Sequence, residues 1–295
     1  SEKARNERAA STDLMSNILS TQRQELEDVE TIRFVASALF DVSAEKIGRL
    51  HAAFERNKIF YDDLANLYQA IKQTALERGE LPQKSTTVVR TISVAFTSNT
   101  RFYGSVNAEV ISAFLEHMHS ITASDYIIIG RMGKVLVENS TEHVPHVSYY
   151  AFAEDEPTGE ETKRFLKNVS LYDRVLVFYP SFVNVFMQKV AMQDITYTPR
   201  EATRGATTPF DYIFEPELPK ILAFFETNVR YLLFQRILLE SELARTAARL
   251  LSMNQAQDRS DGEVNRLRRL IRRRTINFND LRLLESFSAI SKWKK

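Results

Sequence analysis

The densest chemistry in the chain is a run of arginine. Between residues 266 and 274 stand Arg266, Arg268, Arg269, Arg272, Arg273 and Arg274, with Leu267, Leu270 and Ile271 between them. Guanidinium groups at this density recognise anions, and their planar forks pair with carboxylates in two places at once. A nucleic-acid patch would call for aromatic side chains to stack bases. None is interleaved here, and the whole chain carries a net charge of only +1. Two readings stay open on the residues alone. One is an acidic protein partner that surrounds the segment, and the other is a solvated face balanced by acids elsewhere.

Other candidate sites are weaker. Gly130-Arg131-Met132-Gly133-Lys134 resembles a phosphate-cradling loop, but its glycine spacing is wrong and no Ser or Thr follows the lysine. A strand-to-helix turn is the simpler use of both glycines. Two histidine pairs, His117 with His119 and His143 with His146, have Glu116 and Glu142 beside them. A spacing of two on a helix turns the rings of the first pair roughly 200° apart, which suits no metal. The chain has no cysteine, so disulfides, thiolate zinc sites and cysteine nucleophiles are excluded. No serine–histidine–acid set can be assembled. The expectation is a non-catalytic chain with no cofactor and no metal. The first residues lack the apolar core of a signal peptide, and no apolar run approaches the ~20 residues that cross a bilayer. Direct membrane insertion is therefore not expected.

These residues must be carried by something, and the helix breakers indicate what. All eight prolines lie between Pro82 and Pro219, and of eight glycines only Gly48, Gly79 and Gly262 lie outside that stretch. Proline costs a helix interior about 3 kcal/mol and glycine about 1. The spacing predicts an N-terminal long helix over 1–80, an α/β domain over 81–213 and a C-terminal long helix over 214–295. Apolar residues recur at steps of three and four in both flanks. Ile32, Val35 and Leu39 in the first, with Ala247, Leu250 and Met253 in the last, are the expected core of a coiled coil. The last segment, if continuous, would run roughly 110 Å at 1.5 Å per residue. Such a helix cannot bury its stripe in one globule, so the first segment is its partner. The connecting middle makes the pair antiparallel.

Within the middle, Ile92, Val94 and Phe96 alternate after Ser85-Thr86-Thr87, as a strand with one better-covered face would. Tyr126 to Ile129 ends at Gly130, and Arg174 to Tyr179 ends at Pro180; both are apolar runs of strand length. Helical stretches at 108–119 and 160–168 lie between them. The alternation predicts a small Rossmann-like α/β domain with a mostly parallel sheet. Residues 153–162 and 198–210 are expected as exposed loops.

This arrangement resembles the ATP synthase gamma family, and the resemblance reaches particular residues. Thr31 to Ala38 is similar to that family's N-terminal helix motif. Ser98-Asn99-Thr100-Arg101-Phe102-Tyr103-Gly104-Ser105-Val106-Asn107 resembles the Ser-Asp-x-Gly-Leu-Cys-Gly-Gly-Leu-Asn after its first strand. Ile129 to Gly133 looks like Ile-Gly-Arg-Lys-Gly, and Tyr212 to Pro216 like the lead into its C-terminal helix. Leu239-Glu240-Ser241, then Ala247-Ala248-Arg249 and Met253, resemble Leu-Glu-Ser…Ala-Ala-Arg-x-x-x-Met. The resemblance implies a rotor shaft within a ring of three alpha- and three beta-type subunits. Its foot would touch an epsilon-type subunit and a membrane c-ring, on the cytoplasmic side of a membrane or in an organelle matrix. The implied contacts with beta-type subunits are Arg249, Arg266, Arg269, Arg272, Arg273, Arg274, Thr275 and Ile276. Thr275-Ile276 stands where the family has Arg-Gln, counting without gaps from Arg249. This departure leaves room for a paralogue serving a specialised rotary motor. A stand-alone coiled-coil scaffold is the reading from another class.

Overall fold

The computed structural model describes residues 2–77, 90–120, 125–140, 147–196 and 217–293. The expected loop at 198–210, the segments Ser85-Thr86-Thr87 and Tyr212 to Pro216, and His143 and His146 lie outside them. The chain opens with helix α1 (Glu2–Glu77) and closes with helix α5 (Leu218–Trp293), each of 76 residues. Between them come β1 (Thr91–Phe96), α2 (Val106–Ser120), β2 (Asp125–Ile129), α3 (Arg131–Glu138) and β3 (Val147–Tyr150). Helix α4 (Gly159–Val169) and strands β4 (Arg174–Asn184) and β5 (Met187–Asp194) follow. Among the described residues, no helix is long and apolar enough to cross a membrane.

The chain forms two compact units. One joins Ser1–Val42 to Ser252–Lys295, and the other is Ser43–Leu251. This division differs from the three segments read from the sequence. The stretches 43–77 of α1 and 218–251 of α5 belong with the sheet, because apolar residues along them are buried in the same unit.

In the first unit the helices run antiparallel: Arg33 pairs with Asp261 at 3.1 Å, and Glu30, earlier in α1, pairs with Arg268, later in α5, at 2.7 Å. The covered face of α1 repeats every seven residues, through Met15, Gln22, Val29 and Ala36, and through Leu19, Leu26, Arg33 and Phe40. On α5 the same step joins Met253, Ser260, Leu267 and Arg274, and also Gln257, Val264, Ile271 and Phe278. A seven-residue repeat is the seam of a left-handed coiled coil. Here the seam admits polar side chains, which corrects part of the expected core. Ile32 is 56% exposed and Val35 47%, because each stands one position off the repeat. Leu39 is half-buried and Met253 is buried, whereas Ala247 (buried) and Leu250 (half-buried) belong to the second unit.

The second unit is built on one five-stranded sheet of order β3-β2-β1-β4-β5, parallel except for the β4–β5 hairpin. On one face Ile92, Val94, Phe96, Val175 and Val177 pack under Phe165 and Val169 of α4 and Leu233, Phe234 and Ile237 of α5. On the other, Ala95, Ile128, Leu176 and Phe178 pack under Val110, Ile111 and Phe114 of α2. Both faces of β1 are thus covered, not one. Nor does β4 stop at Pro180: Pro180 is paired in register with Val190, and the strand continues to Asn184. The last β1 partner on β4 is Phe178, so Pro180 lies where a missing backbone N–H is tolerated. Helix α4 starts within the expected 153–162 loop, held by a capping box between Thr158 and Glu161.

Candidate functional site

The arginine run lies on α5 in the first unit. Arg266 is engaged by Glu263 one turn before it, with Nε donating to Oε2 at 2.9 Å, and Arg268 by Glu30. Arg274 and Thr275 are half-buried along the helix seam, and Thr275 donates its hydroxyl to the Ile271 carbonyl at 2.8 Å. Arg269, Arg272 and Arg273 are exposed and make no ion pair among the described residues. Gly262, Asn265, Arg268, Arg269 and Arg272 line an open groove of about 490 Å³. Ile276 is exposed as well. Three unpaired guanidinium groups on one helix are free to meet carboxylates from outside this chain.

The glycine-containing fragment has a local structural use. At Gly130 the backbone adopts φ 98°, and a Cβ there would stand 2.5 Å from the Thr97 carbonyl oxygen. A Cβ on Gly133 would meet Thr97 Oγ1 at 2.5 Å. Both glycines let α3 approach the end of β1. The first backbone N–H groups of α3 are already engaged, Arg131 by Asn99 Oδ1 at 3.1 Å, Met132 by the Ser98 carbonyl at 3.0 Å and Gly133 by Thr97 Oγ1 at 3.0 Å. A phosphate would find those donors taken. On α2, burial first and Arg174 second push His117 below the ordinary histidine range, and its ring lies 4.8 Å from that of Phe178. Among the described residues no group of three metal-capable side chains gathers.

A polar cluster that sequence reasoning missed lies in the second unit. Open α/β sheets bind ligands beyond the strand ends where strand order reverses, which here is the end of β1 and β4. The chain's own α5 reaches that place. Arg245 is fully buried, its guanidinium 5.0 Å from the Phe96 ring centre and 2.9 Å from Glu242 Oε2. Lys46 of α1 donates to Glu242 at 2.7 Å and also pairs with Glu156. Glu240 accepts from Tyr179 Oη at 3.3 Å and from Ser181 Oγ. Asp155 accepts from Thr100 Oγ1 at 2.6 Å and from Tyr103 Oη at 3.2 Å. Burial alone would raise the Glu242 pKa, but Arg245 and then Lys46 outweigh it and hold the carboxyl below the ordinary range. Asp155 is held low too, against its burial, by the Thr100 hydroxyl, the Asn99 amide and Arg245.

Arg249, expected to meet a beta-type subunit, is engaged within the chain. Its Nη2 donates to Thr100 Oγ1 at 3.2 Å and to the Arg101 carbonyl at 3.4 Å, with the guanidinium 4.0 Å from the Tyr103 ring centre. Those bonds are made inside the chain. The signal in the sequence was two acids, Glu240 and Glu242, followed by Arg245 and Arg249 in a segment otherwise of small and apolar residues.

Known proteins share this architecture. The family model described as ATP synthase matches residues 19–275. The chain belongs to that family. The ATP synthase gamma chain of Bacteroides fragilis is 27% identical over 272 residues, covering 84% of this chain and 90% of the relative. That of Nitrosospira multiformis is 23% identical, covering 83% and 89%. A chain in the Tetrahymena thermophila mitochondrial ATP synthase central stalk/c-ring structure shares the fold, with TM-score 0.54 and 18% identity, covering 75% of this chain and 99% of that one. As a member of the ATP synthase family, this chain is a subunit type whose long helices and α/β domain are legible in both sequence and structure.

Proposed function

We propose that this chain is the central rotor shaft of a rotary ATPase, a gamma-type subunit that turns inside a ring of alpha- and beta-type subunits. It couples their nucleotide chemistry to rotation and has no catalytic site of its own. The observation that carries this is the family match across 19–275, which spans both long helices and the α/β domain. The unpaired Arg269, Arg272 and Arg273 are the surface offered to acidic or polar loops of the ring, in a stoichiometry of three, three and one. The α/β domain is the foot, facing an epsilon-type subunit and a membrane c-ring, so that the chain works peripherally at a membrane.

Replacing Arg269, Arg272 and Arg273 together with glutamine keeps helix propensity and removes three charges. The triple variant should fold, while ring assembly slows more at low salt than at high, since long-range steering is screened. Assembly from purified subunits at two salt concentrations, followed by single-molecule rotation, reads this. Parent rates at both salts would rule out a contact role for the cluster. Thr275-Ile276, standing where the resemblance would place Arg-Gln, favours a second reading, a paralogue serving a specialised motor. Identifying the subunits of the native complex separates the two.

A further inference from the structure

We propose that Glu240, Arg245 and Arg249 are positioning residues that fix the angle of α5 about its own axis against the sheet, so that torque passes between helix and α/β domain without roll. The proposal rests on the shaft reading for its purpose, but its geometry lies wholly within 43–251. Beside these residues α5 is held by Leu233, Phe234, Ile237 and Leu238, and apolar packing is non-directional. The three polar residues span about 13.5 Å of helix and attach to three different segments. Glu240 takes hydrogen bonds from Tyr179 and Ser181 of β4, Arg245 reaches the Asp155 carbonyl at 3.4 Å, and Arg249 holds the loop after β1 through Thr100. A step of one residue turns the helix by about 100°, and no such roll can keep all three attachments.

The state of Arg245 argues for angle over stability. Its Nε and Nη1 are buried and find no hydrogen-bond partner among the described residues. A fully buried guanidinium with two unsatisfied nitrogens is a costly way to hold a helix, and apolar side chains of similar volume hold it at least as well. What the charge adds is direction: a flat group over the Phe96 ring, tied on one edge to Glu242.

The test separates angle from stability. The chain contains no cysteine, so spin labels can be placed at will. Labels on Lys163→Cys in α4 and Thr227→Cys in α5, both exposed positions, report the angle by pulsed electron resonance on the full chain. In the labelled parent a single narrow distance is expected. In the pair replacement Glu242→Leu with Arg245→Met, helicity and melting temperature should stay near the parent's while a second distance population appears. A single unchanged distance in that variant would overturn the proposal. Should the pair replacement not fold, Arg249→Gln combined with Glu240→Leu removes two of the three attachments. The same second population is then expected, and its absence is equally fatal. These distances need no ring, so a chain that failed to assemble with alpha- and beta-type subunits would sink the shaft reading and leave this result standing.

Discussion

The two units bury different things with the same pair of helices. In Ser43–Leu251, α1 and α5 sit in a unit with aromatic and aliphatic cores on both sheet faces, and even its charged residues are enclosed, as Arg245 and Glu242 are. In the unit of Ser1–Val42 with Ser252–Lys295, buried apolar side chains are few among the described residues, namely Leu19, Ala36, Met253, Val264 and Leu267. The ion pairs there are half-exposed, and Phe34, Ile32 and Val35 face outward. Both units leave apolar side chains exposed, Phe34 and Ile32 in this one and Phe60, Leu171 and Phe186 in the other. The difference lies in the enclosed two-faced core of Ser43–Leu251 and in the cationic surface of Arg269, Arg272 and Arg273 here. A shaft would be expected to differ along its length in this way, with one part built for internal rigidity and another for contact.

The comparison breaks first in the core. Phe234 is fully buried and its ring stacks on that of Phe165 at 5.1 Å. Phe234→Ala should cost about 3–5 kcal/mol, the range for truncating a buried aromatic residue. Urea unfolding of the full chain measures it, and a loss under about 1 kcal/mol would mean that α5 is not held by this core.

Next comes the joint of α3 with β1. Gly130→Ala places a Cβ against the Thr97 carbonyl in a backbone conformation that L side chains avoid. Strain of about 1–3 kcal/mol is expected. In contrast, Gly48 and Gly262 have open space where a Cβ would stand, and alanine there should stabilise the long helices by up to about 1 kcal/mol. Thermal melts of the three variants should therefore move in opposite directions.

These glycines also show what the sequence could disclose. The scarcity of proline in both flanks made the long helices legible, since α1 has none and α5 only Pro219 in its first turn, where proline is tolerated. Strands β1, β2 and the start of β4 were legible as apolar runs. Strand β5 was not, because Gln188, Lys189, Gln193 and Asp194 give an edge strand the composition of a loop. Strand β3 has four residues, and α3 has eight with a glycine inside, so neither offers a period to read. The coiled-coil seam was misplaced at Ile32 and Val35 because Gln22 and Arg33 occupy seam positions, and a search for apolar residues passes over them. The buried cluster at Glu240, Glu242 and Arg245 escaped for the converse reason. Charge in a helix reads as solvent, and only the sheet packed against it shows otherwise.

Acid should distinguish the units next. Asp155 and Glu242 both have folded-state pKa values below their ordinary ones, so the folded chain binds fewer protons at these sites than the unfolded chain. Their contribution is then fully present above about pH 5 and is lost as pH falls below about 4 and through the depressed values. Lys46 has the opposite sign. Burial would lower it, but Glu156 and Glu242 raise it, so its contribution holds below about pH 10 and fades above. Stability measured between pH 7 and 3 should drop more steeply in the parent than in the Glu242→Leu, Arg245→Met pair. Parallel curves would mean that the cluster is not linked to proton uptake.

The smallest effect is expected at the ion pairs of the first unit, and it is the one that sharpens the comparison most. Arg33 and Asp261 are both close to half-exposed, as are Arg268 and Glu30. Solvent screens such pairs, and ordering two long side chains offsets much of the attraction, leaving about 0–1 kcal/mol. Arg33→Gln should hardly move the unfolding midpoint, and what movement there is should vanish as salt is raised. The same substitution on an enclosed pair, Glu242→Gln, strips the carboxylate that Arg245 and Lys46 share and leaves a buried cation without its counter-charge, a loss that salt does not screen. Measured side by side at low and high salt, the two variants report how far each unit shields its charges from water. Equal, salt-sensitive losses would place Glu242 and Arg33 in the same environment and erase the contrast between the units.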